Sequence, residues 1–560
     1  MQPYILMPSQ GSDQADEWVR LGLESQIANK FPDAERHYRQ ALRLDAAHVT
    51  ATMNFAILYA QTGNLNEALL TIERASLFDT NKTGVIYMNW AFMALEADRI
   101  DDALKAARDG IEKAPCQETY LAMALISATA GKPQDAITYY EKILETNPTH
   151  PQAAPNICFV QTLTDATPKD LIARRKGWYQ ANSFKGEKHK HPMGRINGSV
   201  SPLRVGYVSG DFKCHSASMI FASVLLSHDK DKVLPFYYST LAVDENADAM
   251  TKTFKESAGE NWRDISTLDD EQADLLIRKD RIDILVDLAG HTNGGRLALF
   301  TRKPAPIQCT AWGFAHGTGC PEIDYFLADQ VAVPESERAD YAEKIWDVPC
   351  VVSYMPPNYN LKGTSQLPYF VNGYWTFASH ARYEKFSDEC LETWAEILKQ
   401  VPESKLQLKD HAYRRPYSMK RVLSIMNDID PKRILFSIAT SHPDHMLAYQ
   451  QADVILDPFP HSGGGVGLEQ LYMGLPIITR YGTQASGRTT SSILTAMGKT
   501  DWIAKTKEEY VEKAVNLTKD VRALADMRKT LRNELIESPV IKGYPQAIEK
   551  AYQDMWEQRA

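Results

Sequence analysis

The chain has 560 residues, 44% of them hydrophobic and 24% charged, with a formal net charge of -9, which suits a large soluble cytoplasmic protein of about three to four domains and argues against a nucleic-acid binder. Met1-Gln-Pro-Tyr-Ile-Leu-Met7 has no charged leader and no long apolar core, and no run approaches a membrane span, so no membrane partner is expected. The seven cysteines form no CxxC pair and are odd in number, which points to reduced thiols rather than a disulfide framework or a zinc cluster.

The first element along the chain is a repeat. Ala34, Ala68, Ala103 and Ala136 recur at spacings of 34, 35 and 33 residues, the period of tetratricopeptide repeats. Trp18, Gly22, Tyr38 and Ala41, then Ala56, Tyr59 and Ala75, Ala91 and Pro115, and finally Ala124, Tyr140 and Pro148 keep the same phase. Small residues let paired helices approach, and the prolines end the second helix of a unit. Residues 11–150 are therefore expected to form an α-helical array whose concave groove takes an extended protein or peptide segment.

Residues 151–202 read as a helical junction and linker, in which His189 and His191 of a lysine-rich stretch are solvated rather than metal ligands. From Leu203 the pattern becomes short apolar strands alternating with amphipathic helices, the mark of parallel sheets covered on both faces. One sheet is expected from strands at 203–209, 234–238, 282–288, 306–311 and 324–328. A second is expected from strands at 374–378, 405–409, 433–438, 454–456 and 476–479. Two Rossmann-like domains, 203–370 and 371–560, would thus face a cleft beyond the carboxyl ends of their strands.

The strand-end loops carry the chemistry. In the second domain Val454 to Leu456 runs into Pro458, Pro460, His461, Ser462, Gly463, Gly464 and Gly465 and then a helix. Such a turn brings free N–H groups to a diphosphate, and Glu469, one helical turn in, is placed for ribose hydroxyls. Arg382 and Lys385, after the strand at 374–378, could neutralise a leaving diphosphate, although an exposed helix start would look the same. In the first domain Asp211 and His215 follow the first strand, and His291 with Thr292 follows the strand at 282–288; two histidines on adjacent loops suggest a site. Asp428-Ile-Asp430 imitates a metal-binding carboxylate pair, but Pro431 follows it and a turn with a cap is expected. Neither a P-loop nor a GxSxG elbow occurs.

Tetratricopeptide repeats followed by Val205-Gly-Tyr-Val-Ser-Gly-Asp-Phe212 with His215, Asp283-Ile-Leu-Val-Asp-Leu-Ala-Gly-His-Thr292, Arg302-Lys-Pro-Ala-Pro-Ile-Gln308, Gly317-Thr-Gly319 with Asp324-Tyr325, His445, Leu456-Asp-Pro-Phe-Pro460, Gly474-Leu-Pro476 and Ala551-Tyr-Gln-Asp-Met-Trp556 resemble the protein O-GlcNAc transferases and their relative Spindly, a protein O-fucosyltransferase. The resemblance implies a GT-B fold and metal-independent transfer, with inversion, from a nucleotide sugar to a protein Ser or Thr. It implies that His215 is an active-site residue near the acceptor and that Lys385 contacts the donor diphosphate. His445 falls near the nucleotide base, His442 stands where a ribose-contacting lysine is found, and Glu469 replaces a ribose-binding Asp. His291, Thr292, Arg382 and the turn from His461 to Gly465 complete the expected donor site.

Departures bear on the donor. Gly464-Gly-Val466 stands where the animal O-GlcNAc enzymes have His-Thr-Thr, Ala448 replaces a uracil-contacting arginine, and Ala448, Glu469 and Tyr472-Met-Gly474 look closer to Spindly. UDP-GlcNAc is the leading donor expected, with GDP-fucose or another nucleotide sugar as the alternative. A repeat scaffold with an inactive transferase domain is a second alternative, while a free-sugar transferase or epimerase is disfavoured by the repeats. No cofactor is expected beyond the donor; a homo-oligomer is compatible with the sequence.

Overall fold

A computed structural model describes residues 4–8, 13–189, 202–242, 247–359, 361 and 366–559. Residues 190–201 of the expected junction and linker, with His191, lie outside the described residues. Two compact units emerge, one made of residues 1–153 with 414–421, the other of residues 154–413 with 422–560.

The first unit is the repeat array. Its helices are α1 (Gln14–Ile27), α2 (Phe31–Leu44), α3 (Val49–Gln61), α4 (Leu65–Phe78), α5 (Gly84–Glu96), α6 (Ile100–Lys113), α7 (Gln117–Thr129) and α8 (Pro133–Thr146). Proline in the first turn starts α2 and α8, where the missing N–H has no intrahelical partner to lose. The four phased alanines are fully buried, as the small-residue reading required. A Cβ on Gly22 would lie 2.5 Å from the Tyr38 ring, so only glycine lets α1 and α2 close on each other.

The second unit holds two all-parallel sheets. The first contains β1 (Leu203–Ser209), β2 (Val233–Ser239), β3 (Trp262–Asp264), β4 (Ile284–Asp287), β5 (Ile307–Thr310), β6 (Tyr325–Ala328) and β7 (Lys344–Asp347), ordered β3-β2-β1-β4-β5-β6-β7. The second contains β8 (Thr376–Ser379), β9 (Lys405–Lys409), β10 (Ile434–Ser437), β11 (Val454–Leu456), β12 (Ile477–Arg480) and β13 (Ile503–Ala504), ordered β10-β9-β8-β11-β12-β13. Strands β3, β7 and β13 were not expected. They are edge strands of two to four residues with few buried positions, too short to show a period.

In each sheet the order reverses beside the opening strand, between β1 and β4 and between β8 and β11. Loops diverge at such a point and leave a crevice, and the loops after these four strands carry His215, His291, Lys385 and the glycine turn. The last helix, Tyr544–Gln558, was expected with the second sheet but packs on the first. Tyr544 accepts from Trp312 Nε1 at 3.0 Å, and Glu549 accepts the Asp229 N–H at 2.7 Å. Its stripe of Tyr544, Ile548, Ala551, Tyr552 and Met555 is fully or almost fully buried there.

Candidate functional site

The glycine turn is built outward from β11. Asp457, buried just past the strand, accepts the Gly463 N–H at 2.8 Å and the Thr479 hydroxyl of β12 at 2.7 Å. A Cβ on Gly463 would sit 2.8 Å from that carboxylate, and Gly464 takes φ +64° as the N-cap of helix Gly465–Tyr472. Among the described residues nothing accepts from the N–H groups of Gly464, Gly465 and Val466. Three unspent donors at a helix N-terminus make a ready anion site.

Lys385 lies beneath this turn. It ends the 3-10 turn Tyr383–Lys385 rather than opening a helix, and its ammonium donates to the carbonyls of Ser462 at 2.6 Å and Gly463 at 3.3 Å. Burial, helped by the charge of Arg382, pulls its pKa from 10.5 down to about 7, with Asp457 opposing. Burial raises the Asp457 carboxyl to about 6 despite its hydrogen bonds. Arg382 differs from Lys385: it is exposed, with its guanidinium 5.3 Å from the Phe159 ring centre.

Glu469 is the hub of a polar cluster. Its two oxygens meet His442 Nε2 at 2.9 Å and the Tyr449 hydroxyl at 3.2 Å. His442 Nδ1 pairs with the Tyr359 hydroxyl at 2.6 Å, and His445 Nε2 with Tyr449 at 2.8 Å. One proton arrangement satisfies the whole cluster: Tyr359 donates to His442, His442 and Tyr449 donate to Glu469, and His445 donates to Tyr449. Burial lowers the His445 pKa, which keeps that ring neutral in the neutral pH range. Glu469 is thereby held in one orientation.

His461 and Ser462 support the turn from behind. His461 is half-buried, its pKa pushed well down by desolvation and by the Lys385 charge, and it pairs through Nδ1 with the Thr162 hydroxyl at 3.1 Å. The Ser462 hydroxyl donates to the Ser486 carbonyl at 2.7 Å. Thr489 and Thr490 were missed in the sequence: methyl carbons of the two lie 3.8 and 3.9 Å from where a Cβ on Gly464 and on Gly467 would stand. Nothing in the spacing of Thr489-Thr-Ser-Ser492 brings that helix to the turn, since the approach comes through the loop after β12.

On the first sheet His215 is the N-cap of helix Ser216–Leu225. Its Nδ1 accepts the Ala217 N–H at 3.2 Å, and the ring is half exposed. The Asp211 carboxylate lies 3.5 Å from the same nitrogen. This helix meets the glycine turn, because a Cβ on Gly465 would lie 3.1 Å from Ile220. His291 is instead buried: Nε2 donates to the Thr318 carbonyl at 2.8 Å, burial drops its pKa to about 3, and the ring lies edge-on to Trp178. The Thr292 hydroxyl donates to the Ala289 carbonyl at 2.7 Å and closes the turn. Asp287 organises this loop as Asp457 does the other, accepting from Gly290 N–H at 3.0 Å and from Thr310 of β5 at 2.8 Å.

Asp430 caps a 3-10 turn and Asp428 pairs with Lys399, as a turn-and-cap reading of that pair requires. Among the described residues no helix is long and apolar enough to cross a membrane.

Residues 151–367 and 370–548 match the model of glycosyl transferase family 41, and 27–83 and 93–151 match tetratricopeptide repeat models. The probable UDP-N-acetylglucosamine--peptide N-acetylglucosaminyltransferase SPINDLY of Hordeum vulgare is 35% identical over 363 residues, 63% of this chain and 38% of that protein. The probable UDP-N-acetylglucosamine--peptide N-acetylglucosaminyltransferase SEC of Arabidopsis thaliana is 30% identical over 383 residues, 65% of this chain and 38% of the relative. The matched part thus spans well under half of these curated relatives. A solved structure of a Thermobaculum terrenum O-GlcNAc transferase mutant aligns with 98% of this chain and 99% of its own, at a TM-score of 0.78 and 24% identity, a likeness of fold.

Proposed function

The chain belongs to glycosyl transferase family 41, and on that premise we propose that it moves a sugar from a nucleotide diphosphate to a serine or threonine hydroxyl of a protein, with inversion and without a metal. The observation that carries this reading is the buried Lys385 clamped beneath three unspent N–H groups. In a single displacement the acceptor oxygen bonds to the anomeric carbon while the bond to the diphosphate breaks, and the electron pair leaves on the phosphate. Lys385, Arg382 and the N–H groups of Gly464, Gly465 and Val466 are fixed cationic or dipolar groups for that charge, which is the task a metal performs elsewhere.

His215 orients the reacting groups in this reading. With Nδ1 accepting the Ala217 N–H, the neutral ring carries its proton on Nε2. It therefore offers a donor to the cleft rather than a base, and the acceptor proton passes through water to the departing diphosphate, the base that the displacement itself creates. Glu469, aligned by His442 and Tyr449, takes the ribose. UDP-GlcNAc is the donor we favour, supported by the names of the SPINDLY and SEC relatives, and the acceptor enters as an extended segment along the repeat groove in the cytoplasm.

The deciding experiment offers UDP-GlcNAc, GDP-fucose and other nucleotide sugars with a protein acceptor and reads intact mass. A gain of one N-acetylhexosamine from UDP-GlcNAc is expected. Transfer only from another donor overturns the donor, and no transfer from any overturns the activity.

A further inference from the structure

Helices α3 and α5, the first helices of the second and third repeats, place an asparagine at the same point, Asn54 and Asn89, each two residues before a phased alanine. Both are fully buried among apolar neighbours, where an amide needs partners for its oxygen and its nitrogen. The chain itself supplies them. Ile5 N–H donates to Asn89 Oδ1 at 3.0 Å, and Asn89 Nδ2 returns a bond to the Ile5 carbonyl at 3.0 Å. Two residues on, Met7 N–H donates to Asn54 Oδ1 at 3.0 Å, and Asn54 Nδ2 donates to the Met7 carbonyl at 2.8 Å.

Alternate residues pairing with successive repeats is the pattern of an extended strand, whose backbone groups face one side every second residue. Tyr4, Leu6 and Met7 add side-chain packing against the core of the repeats, and the Tyr4 hydroxyl donates to Glu96. Burial and the Glu96 charge raise the Tyr4 pKa, so this hydroxyl keeps its proton. The asparagines read only backbone N–H and C=O, which any extended peptide carries at non-proline positions.

We infer that Tyr4–Pro8 is an intramolecular occupant of the repeat groove, seated on Asn54 and Asn89 in place of an extended acceptor peptide, so that an acceptor must displace it to bind there. The inference rests on the reading that acceptors enter this groove. It makes the groove selective for segments that outcompete a tethered apolar strand, and it excludes proline at the two paired positions, where the N–H is required.

The test uses a fluorescent peptide of residues 2–9 and the full chain, unaltered or carrying Ile5→Pro with Met7→Pro, which removes both donated N–H groups from the tethered segment. The altered chain is expected to bind the peptide at least tenfold more tightly than the unaltered one, with nucleotide affinity equal in both as the sign of an intact second unit. Peptides N-methylated at the Ile5 or Met7 amide should lose binding to the altered chain, and one methylated at Leu6 should keep it. Equal peptide affinity for the two chains overturns the intramolecular occupancy while leaving a peptide groove in place. Failure of the peptide to bind either chain overturns the groove reading as well, whatever the donor assay shows.

Discussion

The buried lysine beneath the glycine turn makes donor binding depend on pH in a direction that can be worked out. Lys385 has a pKa of about 7 in the free protein because burial and Arg382 oppose its charge. A bound diphosphate adds negative charge beside it and raises that pKa, so binding takes up a proton wherever the free lysine is neutral. Below pH 7 the lysine is charged in both states and the affinity is fully present; above 7 it is lost as pH rises. At pH 8 only about a tenth of the free molecules carry the charge, so donor affinity should fall about tenfold per pH unit, or about 1.4 kcal/mol. The fall continues until the pKa of the complex is reached. Asp457, raised to about 6, is mostly ionised throughout this window and does not reverse the sign.

The assay is calorimetric titration with intact UDP-GlcNAc between pH 6.5 and 8.5, in two buffers of different ionisation enthalpy. Proton uptake of about half at pH 7, approaching one at pH 8, is expected. Lys385→Met should bind more weakly with a flat profile. A flat profile in the unaltered protein, with no proton taken up, would refute the placement of a titrating ammonium against the diphosphate.

Four other outcomes follow from the site. Lys385→Ala should lower single-turnover transfer about a hundredfold or more, through lost stabilisation of the leaving charge; an unchanged rate in a folded variant removes the lysine from the chemistry. His215→Ala should cost about 1 kcal/mol of stability with its N-cap and slow turnover more than it weakens donor binding, whereas His215→Asn, which can still cap, should regain the stability but not the rate; recovery of both by Asn would leave only a capping role. Glu469→Ala should weaken donor affinity about tenfold to a hundredfold, the range of a hydrogen bond to a charged group, and unaltered calorimetric affinity would exclude it from the ribose. Transfer measured with excess EDTA should match the untreated rate, and loss restored by magnesium or manganese would defeat the proposed charge stabilisation.

The repeats and both sheets were legible because their signals are local and periodic: alanines a repeat apart, apolar runs ended by glycine and proline. The glycine turn and Glu469 were legible for the same reason, lying within one strand-turn-helix stretch. Long-range partners were not. Asp457 reads as an ordinary residue before Pro458, and only the pairing of β11 with β12 brings Thr479 to it. Nor does any local pattern join Tyr359 and Glu469 to the helical stretch that carries His442 and Tyr449; the cluster meets through the folding of three separate segments. His291 was legible as a strand-end residue, but its burial depends on Trp178, from a helix more than a hundred residues earlier.

Asp287 with Thr310 and Asp457 with Thr479 repeat one fastening in two sheets: a carboxylate at the end of a central strand ties the following loop to a threonine on the next strand. The fastening lies on the scaffold side of the loop. In the second sheet, Gly464, Gly465 and Val466 hang beyond it, spared from holding the loop in register. A workbench clamp of this kind lets the tool be exchanged while the vice stays fixed. Placing a hydroxyl-bearing residue at Val466, while Gly464 stays glycine at φ +64° and Gly465 leaves room for Ile220, is therefore a route to retuning which nucleotide the protein accepts, without rebuilding the strand pair that carries the turn.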